Sequence, residues 1–440
     1  MQISRRPTLA PVRTPRAGVV LLLGNNCLMN FGFAMLVPLI AIHFTGRFGF
    51  AAAAVGLVLA LRQFSQQGLD VVGGIFADRF GARAAIVIGC CIRAFGFVGV
   101  GGSTTLGSLM LFAVISGIGG SFFDASGTAA LAELVQPERR QAVYAASATM
   151  GNVGQTVGPV VGIALLGINF EVVSLAAAGV FVLVGALTFA LLPAGLLRAK
   201  AGAGAGRPAK GAGAEAQKAT GVRATLAALG RDRTFLLLTL LLAGFWFLWA
   251  QMNITVPLEA VRLGGPERGP RLAALAFAIN AGPAILIQYP LARFVGGHFD
   301  LGSVLAVCTL VSGLGMALAF ATPLVPLFML GIALFALARM LVWPTMNVLT
   351  ASLAPQGMLG AYFGFGALAL AIGGGVGQYV GGFLYDTAGR TQQPALLWGP
   401  LLLVGIGAAA GLRRLPLRGR AEKARALAGV GQQDRTASGR

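Results

Sequence analysis

The stretch Gly74-Ile-Phe-Ala-Asp-Arg-Phe-Gly-Ala-Arg-Ala84 decides the fold. It places Asp78, Arg79 and Arg83, with two glycines, in a short loop between two apolar segments. Such a loop is too short and too charged to fold by itself. Outward from it in both directions, apolar runs of membrane-spanning length continue along almost the whole chain. A spanning helix needs about 20 apolar residues. Twelve such segments fit, at 18–43, 52–73, 84–105, 107–128, 143–168, 171–193, 234–258, 272–295, 303–322, 326–350, 358–383 and 395–412.

Composition agrees. Of 440 residues, 56% are hydrophobic and 11% charged, and the mean hydropathy is +0.80. About a quarter of the residues in an ordinary soluble domain are charged, so this chain requires lipid. Its net charge of +19 invites a nucleic-acid reading, which the distribution of charge excludes. With the N-terminus inside, 25 of the 33 Lys and Arg fall on inner segments, five on outer loops and three within spans. This positive-inside pattern puts both termini in the cytoplasm. The expected location is the inner (plasma) membrane, crossed many times, with membrane lipids as partners of the basic segments. Cys27, Cys90, Cys91 and Cys308 all fall in expected spans and read as small apolar fillers. The first 17 residues carry four arginines and no apolar stretch of their own, so the first helix is expected to stay uncleaved.

A low-complexity run, Ala199-Lys-Ala-Gly-Ala-Gly-Ala-Gly-Arg-Pro-Ala-Lys-Gly-Ala-Gly-Ala214, cannot build a core and reads as a linker. The organisation that follows has five parts. They are a cytoplasmic segment (1–17), a six-helix bundle (18–193), a flexible cytoplasmic linker (194–233), a second six-helix bundle (234–412) and a basic tail (413–440). The fold class is an all-α membrane protein of two pseudo-symmetric bundles. Glycine is abundant inside the spans, where small residues let helix backbones approach closely. Gly373-Gly-Gly-Val-Gly377 is one such face, for packing or for a hinge.

The opening loop resembles the signature between helices 2 and 3 of the major facilitator superfamily of transporters. The resemblance implies a conformational latch on the cytoplasmic side, with Asp78 facing the positive end of the helix dipole of span 11. Arg79, Gly81 and Arg83 complete the loop. Asp124, near the inner end of span 4, occupies a position where family members pair an acid with the loop arginine. Gly154-Gln-Thr-Val-Gly158-Pro159-Val-Val-Gly162 resembles the antiporter motif of the same superfamily, with Ile163 in place of its last glycine. A bare kinked packing helix would look similar.

Leu61-Arg-Gln-Phe-Ser-Gln-Gln-Gly68, Ile92-Arg-Ala-Phe-Gly96, Ser116-Gly-Ile-Gly-Gly120 and Gly381-Gly-Phe-Leu-Tyr-Asp386 are similar to segments of the MdtH-type multidrug/proton antiporters. That likeness covers most of the chain outside linker and tail. It departs at Asn25, where the compared members carry an acid, and at Ala113, where the arginine pattern of helix 4 fails.

Periodicity gives independent evidence. Arg62, Gln63, Gln66, Gln67 and Asp70 recur on one helical face of span 2, and Arg339, Trp343 and Asn347 on one face of span 10. Such faces either line a cavity or join helices to each other. Substrate-contact candidates are Arg62, Gln66, Arg339, Trp343, Asn25, Asn30 and Trp246. Arg62, Arg93 and Arg339 lie well inside spans, where a lone arginine costs about 2.5–3.5 kcal/mol on insertion scales. The acids inside spans are Asp70 and Asp124. The cavity is therefore expected to be neutral to positive and to favour neutral or anionic substrates. Asp70 is the candidate proton carrier, being titratable and on the polar face.

No Walker loop, Cys-x-x-Cys or HExxH is present, so no enzyme, metal or cofactor is expected. A proton gradient is the expected energy source, a small molecule the expected partner, and a monomer the expected state. The favoured function is export of small amphipathic compounds by proton antiport through alternating access. The first rival is a facilitative or proton-linked carrier of a neutral or anionic metabolite. A non-transporting receptor or scaffold is the rival from another class.

Overall fold

Apolar residues in unbroken runs leave the backbone one way to satisfy its polar groups in lipid, the helix. The computed structural model describes residues 15–136, 140–192, 230–354 and 359–415, and no strand occurs among them. The first half comprises α1 (Pro15–Phe48), α2 (Ala52–Gly68), α3 (Asp70–Phe80), α4 (Ala82–Gly101), α5 (Leu106–Leu134), α6 (Arg140–Leu166) and α7 (Phe170–Leu191). The second comprises α8 (Arg233–Ala250), a 3₁₀ turn (Gln251–Asn253), α9 (Thr255–His298), α10 (Leu301–Ala321), α11 (Val325–Leu353), α12 (Leu359–Thr391) and α13 (Ala395–Arg414). The expected linker and tail lie largely outside the described residues.

Each segment expected to span coincides with helix over most of its length. Nine helical stretches among the described residues are long and apolar enough to cross a membrane. The polar helices α2 and α6 are not among them, and residues 233–288 count as one. That long stretch is folded back on itself. Gly265 sits at φ 69°, a left-handed conformation that only glycine adopts without strain. Beyond it the position of Gly269 touches the backbone of Val261, a contact impossible across eight residues of straight helix. The expected span at 52–73 is also broken. Leu69 (φ −102°, ψ 3°) ends α2, and Asp70 begins α3.

Each half holds its own apolar core. Phe44, Phe97 and Phe181 anchor the first, and Phe245, Phe320 and Phe335 the second. Ile254, just before α9, and Leu258 of α9 join the first half's core and tie the two together. Two seams link the halves, α2 against α12 and α6 against α9. In the α2–α12 seam, Gly56 faces the carbonyl of Gln378 and Gly382 that of Ala52. The first turn of α2 has no side-chain cap of its own. Asp386 of α12 supplies one, accepting from the Ala52 amide at 3.0 Å and the Ala53 amide at 2.8 Å.

Candidate functional site

α2 turns its polar face toward the middle of the molecule, because Arg62, Gln63, Gln66 and Gln67 share one side of a 3.6-residue helix. Arg62 donates from Nη1 to Gln66 Oε1 at 2.9 Å and from Nη2 to Gln63 Oε1 at 3.1 Å. Arg93 of α4 reaches the same Gln66 oxygen at 3.4 Å. The amide nitrogen of Gln66 donates to Asp124 Oδ2 of α5 at 2.7 Å. Both guanidiniums lie over Phe33 of α1, 4.8 and 5.4 Å from the ring centre. Beside them Gln155 of α6 donates to Asn30 Oδ1 at 3.0 Å, and Asn30 donates to Asn26.

The second half contributes indoles. Trp246 meets Trp249 and Trp343 edge to face, at centroid distances of 5.7 and 5.5 Å. Trp343 is 46% exposed, the open side of this aromatic wall.

Two adjoining cavities lie between these walls. The larger, about 370 Å³, reaches toward the end of the bundle that carries the 74–84 loop, past Leu22, Asp70, Thr128, Thr350 and Phe363. The smaller, about 200 Å³, lies deeper and is lined by Phe33, Arg62, Arg93, Trp249, Asn253 and Asn280. Asn26, Gln67, Phe123, Asp124 and Leu370 line both.

Charge here is poorly neutralised. Arg62 and Arg93 are 2% and 4% exposed, and neither has a carboxylate within 4.0 Å among the described residues. The contrast is Arg262, toward the other end, whose Nε and Nη2 hold Glu259 at 2.8 and 2.5 Å. That two-pronged contact keeps the Arg262 guanidinium above its usual pKa. Chemically, the site offers cations and amides on one side and aromatic faces on the other. An amphipathic molecule would find a partner for each of its ends.

Several expected site residues do meet here: Arg62, Gln66, Asn30, Trp246, Trp343 and Asp70 all line the cavities. The Oδ1 atom of Asp70 is buried without a hydrogen-bond partner. Others lie elsewhere. Asn25 is turned away from the cavities; its amide donates to Thr188 Oγ1 of α7 at 2.8 Å. One residue is about 100° of helix, so Asn25 faces the bundle core while Asn26 faces the cavity. Arg339 lines neither cavity, and its Nη2 is tied to the Asn280 carbonyl at 3.0 Å. Asp124, expected in the latch, lines both cavities and bonds Gln66 instead. Its place on α5 projects it into the cavities. Arg93 and Phe33 were not expected as contacts. The signal for Arg93 was its solitary charge in mid-span; Phe33 carried none.

The Major Facilitator Superfamily model matches residues 22–299. The multidrug resistance protein MdtH of Aeromonas hydrophila is 35% identical over 396 residues, covering 90% of this chain and 94% of that one. MdtH of Escherichia coli K12 is 34% identical over 390 residues, covering 88% and 92%. The chain belongs to the major facilitator superfamily. It is a multi-pass membrane transporter.

Solved structures share this facilitator fold at low identity. A POT family transporter bound to 5-aminolevulinic acid has a TM-score of 0.74 at 15% identity, covering 91% of this chain and 97% of its own. A bacterial homologue of the lysosomal transporter Spinster, inward-facing and unoccupied, has a TM-score of 0.67 at 18% identity, with 94% of each chain covered.

The two facilitator motifs can now be placed. Gly81 has φ 92° and closes α3, its amide donating to the Ala77 carbonyl at 2.7 Å. Arg83 lies 4.4 Å from the ring centre of Phe189, and Arg79 is exposed over Phe80. The side chain of Asp78 and residues 355–358, across which the latch would form, lie outside the described part. In the antiporter motif, Gly154, Gly158 and Gly162 rest in turn on the carbonyls of Cys27, Phe31 and Met35. Three successive turns of α6 thus lie directly on the backbone of α1, as small residues one turn apart permit. Pro159 lies buried within α6.

Proposed function

We propose that this transporter exports small amphipathic compounds, multidrug-type, by proton antiport through alternating access. The observation that carries the reading is the two-walled cavity, with arginines and amides from one half and three tryptophans from the other. Binding between halves is what a rocking mechanism requires, since both halves must lose and regain contact with the substrate. The relatives named as multidrug resistance proteins, alike over nine-tenths of the chain, support the same reading. The end bearing the 74–84 loop is the basic end, which by the positive-inside rule is cytoplasmic. The chain on this reading crosses the inner membrane twelve times, with both termini inside and the cavity reaching toward the cytoplasm.

Asp70 is the proposed proton carrier. It lines the larger cavity, and its unpartnered Oδ1 leaves a carboxyl free to take or release a proton. The test is dye flux in proteoliposomes under an imposed proton gradient, wild type against Asp70→Asn. Gradient-driven flux that Asp70→Asn abolishes supports antiport. Flux that ignores the gradient and is equal in both proteins would replace antiport with facilitation. A carrier of anionic metabolites is the second reading, favoured by the two arginines without a carboxylate.

A further inference from the structure

We infer that Arg62, Arg93 and Phe33 form a subsite for the carboxylate of an aromatic organic acid. The inference rests on the transport reading and specifies the substrate class of the same cavity.

Three observations meet at this point. The first is an excess of unmet donors. Each guanidinium carries five N–H groups, yet the pair makes three hydrogen bonds, all to glutamine side-chain oxygens. The Nε atoms of both are buried without a partner. A buried charge is ordinarily paired or wetted, and these two share one neutral acceptor.

The second is the position of the nearest acid. Asp124 is held by the Gln66 amide nitrogen at 2.7 Å and makes no contact within 4.0 Å with either arginine. Gln66 thus stands between the acid and the cations, its oxygen toward the arginines and its nitrogen toward Asp124. Two cations and one anion leave the cluster positive. A carboxylate entering the cavity meets two planar forks that match its geometry, and such charge-assisted bonds are the stronger kind. It would displace the Gln66 oxygen without disturbing the Gln66–Asp124 bond.

The third is the aromatic surround. Phe33, Phe277 and Trp249 line the same 200 Å³ cavity as the two arginines. Arg93 is also within 5.2 Å of the centre of Phe181. Aromatic walls close to an anion site select an acid carried on a ring over a small inorganic anion. Arg339 is excluded from the subsite, because it lines neither cavity and its Nη2 is held by the Asn280 carbonyl.

The experiment uses the purified full chain in nanodiscs and calorimetric titration of three probes: 2-naphthoate, its methyl ester and 2-naphthylmethylammonium. The expected result is that wild type binds the acid roughly tenfold more tightly than the ester, a usual size for a charge-assisted contact. Arg62→Gln and Arg93→Gln should each collapse that preference, while Arg262→Gln retains it. Equal affinity for acid and ester in wild type would overturn the assignment, and so would preference for the ammonium. That wild-type comparison needs no variant to fold. Inorganic phosphate at equal concentration should not displace naphthoate; if it does, the aromatic part of the assignment is wrong. Flux of the ester or ammonium without acid preference would sink this inference and leave transport intact. Naphthoate binding with no flux of any probe would sink the transport reading and leave the subsite intact.

Discussion

The two halves share an architecture and divide the chemistry. The first half faces the cavity with Arg62, Arg93, Gln66 and Asp124, the second with Trp246, Trp249 and Trp343. Each half has an arginine-bearing polar helix in its sequence, at Arg62 and at Arg339. Only the first keeps its guanidinium at the cavity; the second ties it to the Asn280 carbonyl. A repeated fold therefore does not imply a repeated function. What a stripe of polar residues does depends on the neighbour that reaches it first.

This contrast can be broken at four places, in decreasing order of effect. The polar wall depends on α6 lying flat against α1. A methyl group at Gly154 would run into the Cys27 carbonyl, whereas at Gly366 in the other wall the nearest atom is 3.9 Å away. Gly154→Ala is expected to lower stability by about 1–3 kcal/mol through overpacking. Gly366→Ala should instead gain about 0.5–1 kcal/mol from helix propensity. Melting of the purified variants measures both, and equal shifts would remove the distinction between the walls.

Next comes Asp124. Asp124→Asn leaves the Gln66 bond possible but removes the cluster's one negative charge. Gradient-driven flux is expected to fall by roughly tenfold, the scale of a lost charge-assisted contact. Flux within twofold of wild type would confine Asp124 to a structural role.

Trp343→Ala tests the aromatic wall. Affinity for a naphthyl probe should fall by about threefold to tenfold, since an aromatic pair contributes about 0.5–1.5 kcal/mol beyond area. The ratio between acid and ester should stay the same. A changed ratio would mean the two walls do not act separately.

The smallest effect is at Arg339. Arg339→Gln should leave the acid-to-ester ratio unchanged while lowering the melting temperature, because the Asn280 carbonyl loses its donor. A collapsed ratio would return Arg339 to the binding site.

Helix positions were legible in the sequence because lipid imposes a single answer on long apolar runs. The glycine ladder was legible too, since Gly154, Gly158 and Gly162 recur at the turn of a helix. What stayed hidden depended on rotation and on partners. Asn25, Asn26 and Asn30 are alike as letters, and the helix sends the first toward Thr188 and the others toward the cavity. Arg93 has no polar neighbour at helical spacing in the middle of α4, so no periodic pattern marked its face; the ring of Phe33, distant in sequence, marks it in space. Asp124 matched a latch position by resemblance, yet its bond is with Gln66. The break at Leu69 follows Gly68, one glycine among the many that lie within unbroken helices.

One contact at the far end has a bearing on turnover. Helix α2 begins with borrowed chemistry, since its first amides are satisfied by Asp386 of the opposite half. A cap of this type contributes about 1 kcal/mol. If the halves part there, as the proposed cycle requires, the amides and the carboxylate are each left facing solvent, which can satisfy them in kind. The catch thus defines a closed state without trapping it. For the alternating-access cycle proposed above, a fastening at this end that water can undo serves better than one that only unfolding could.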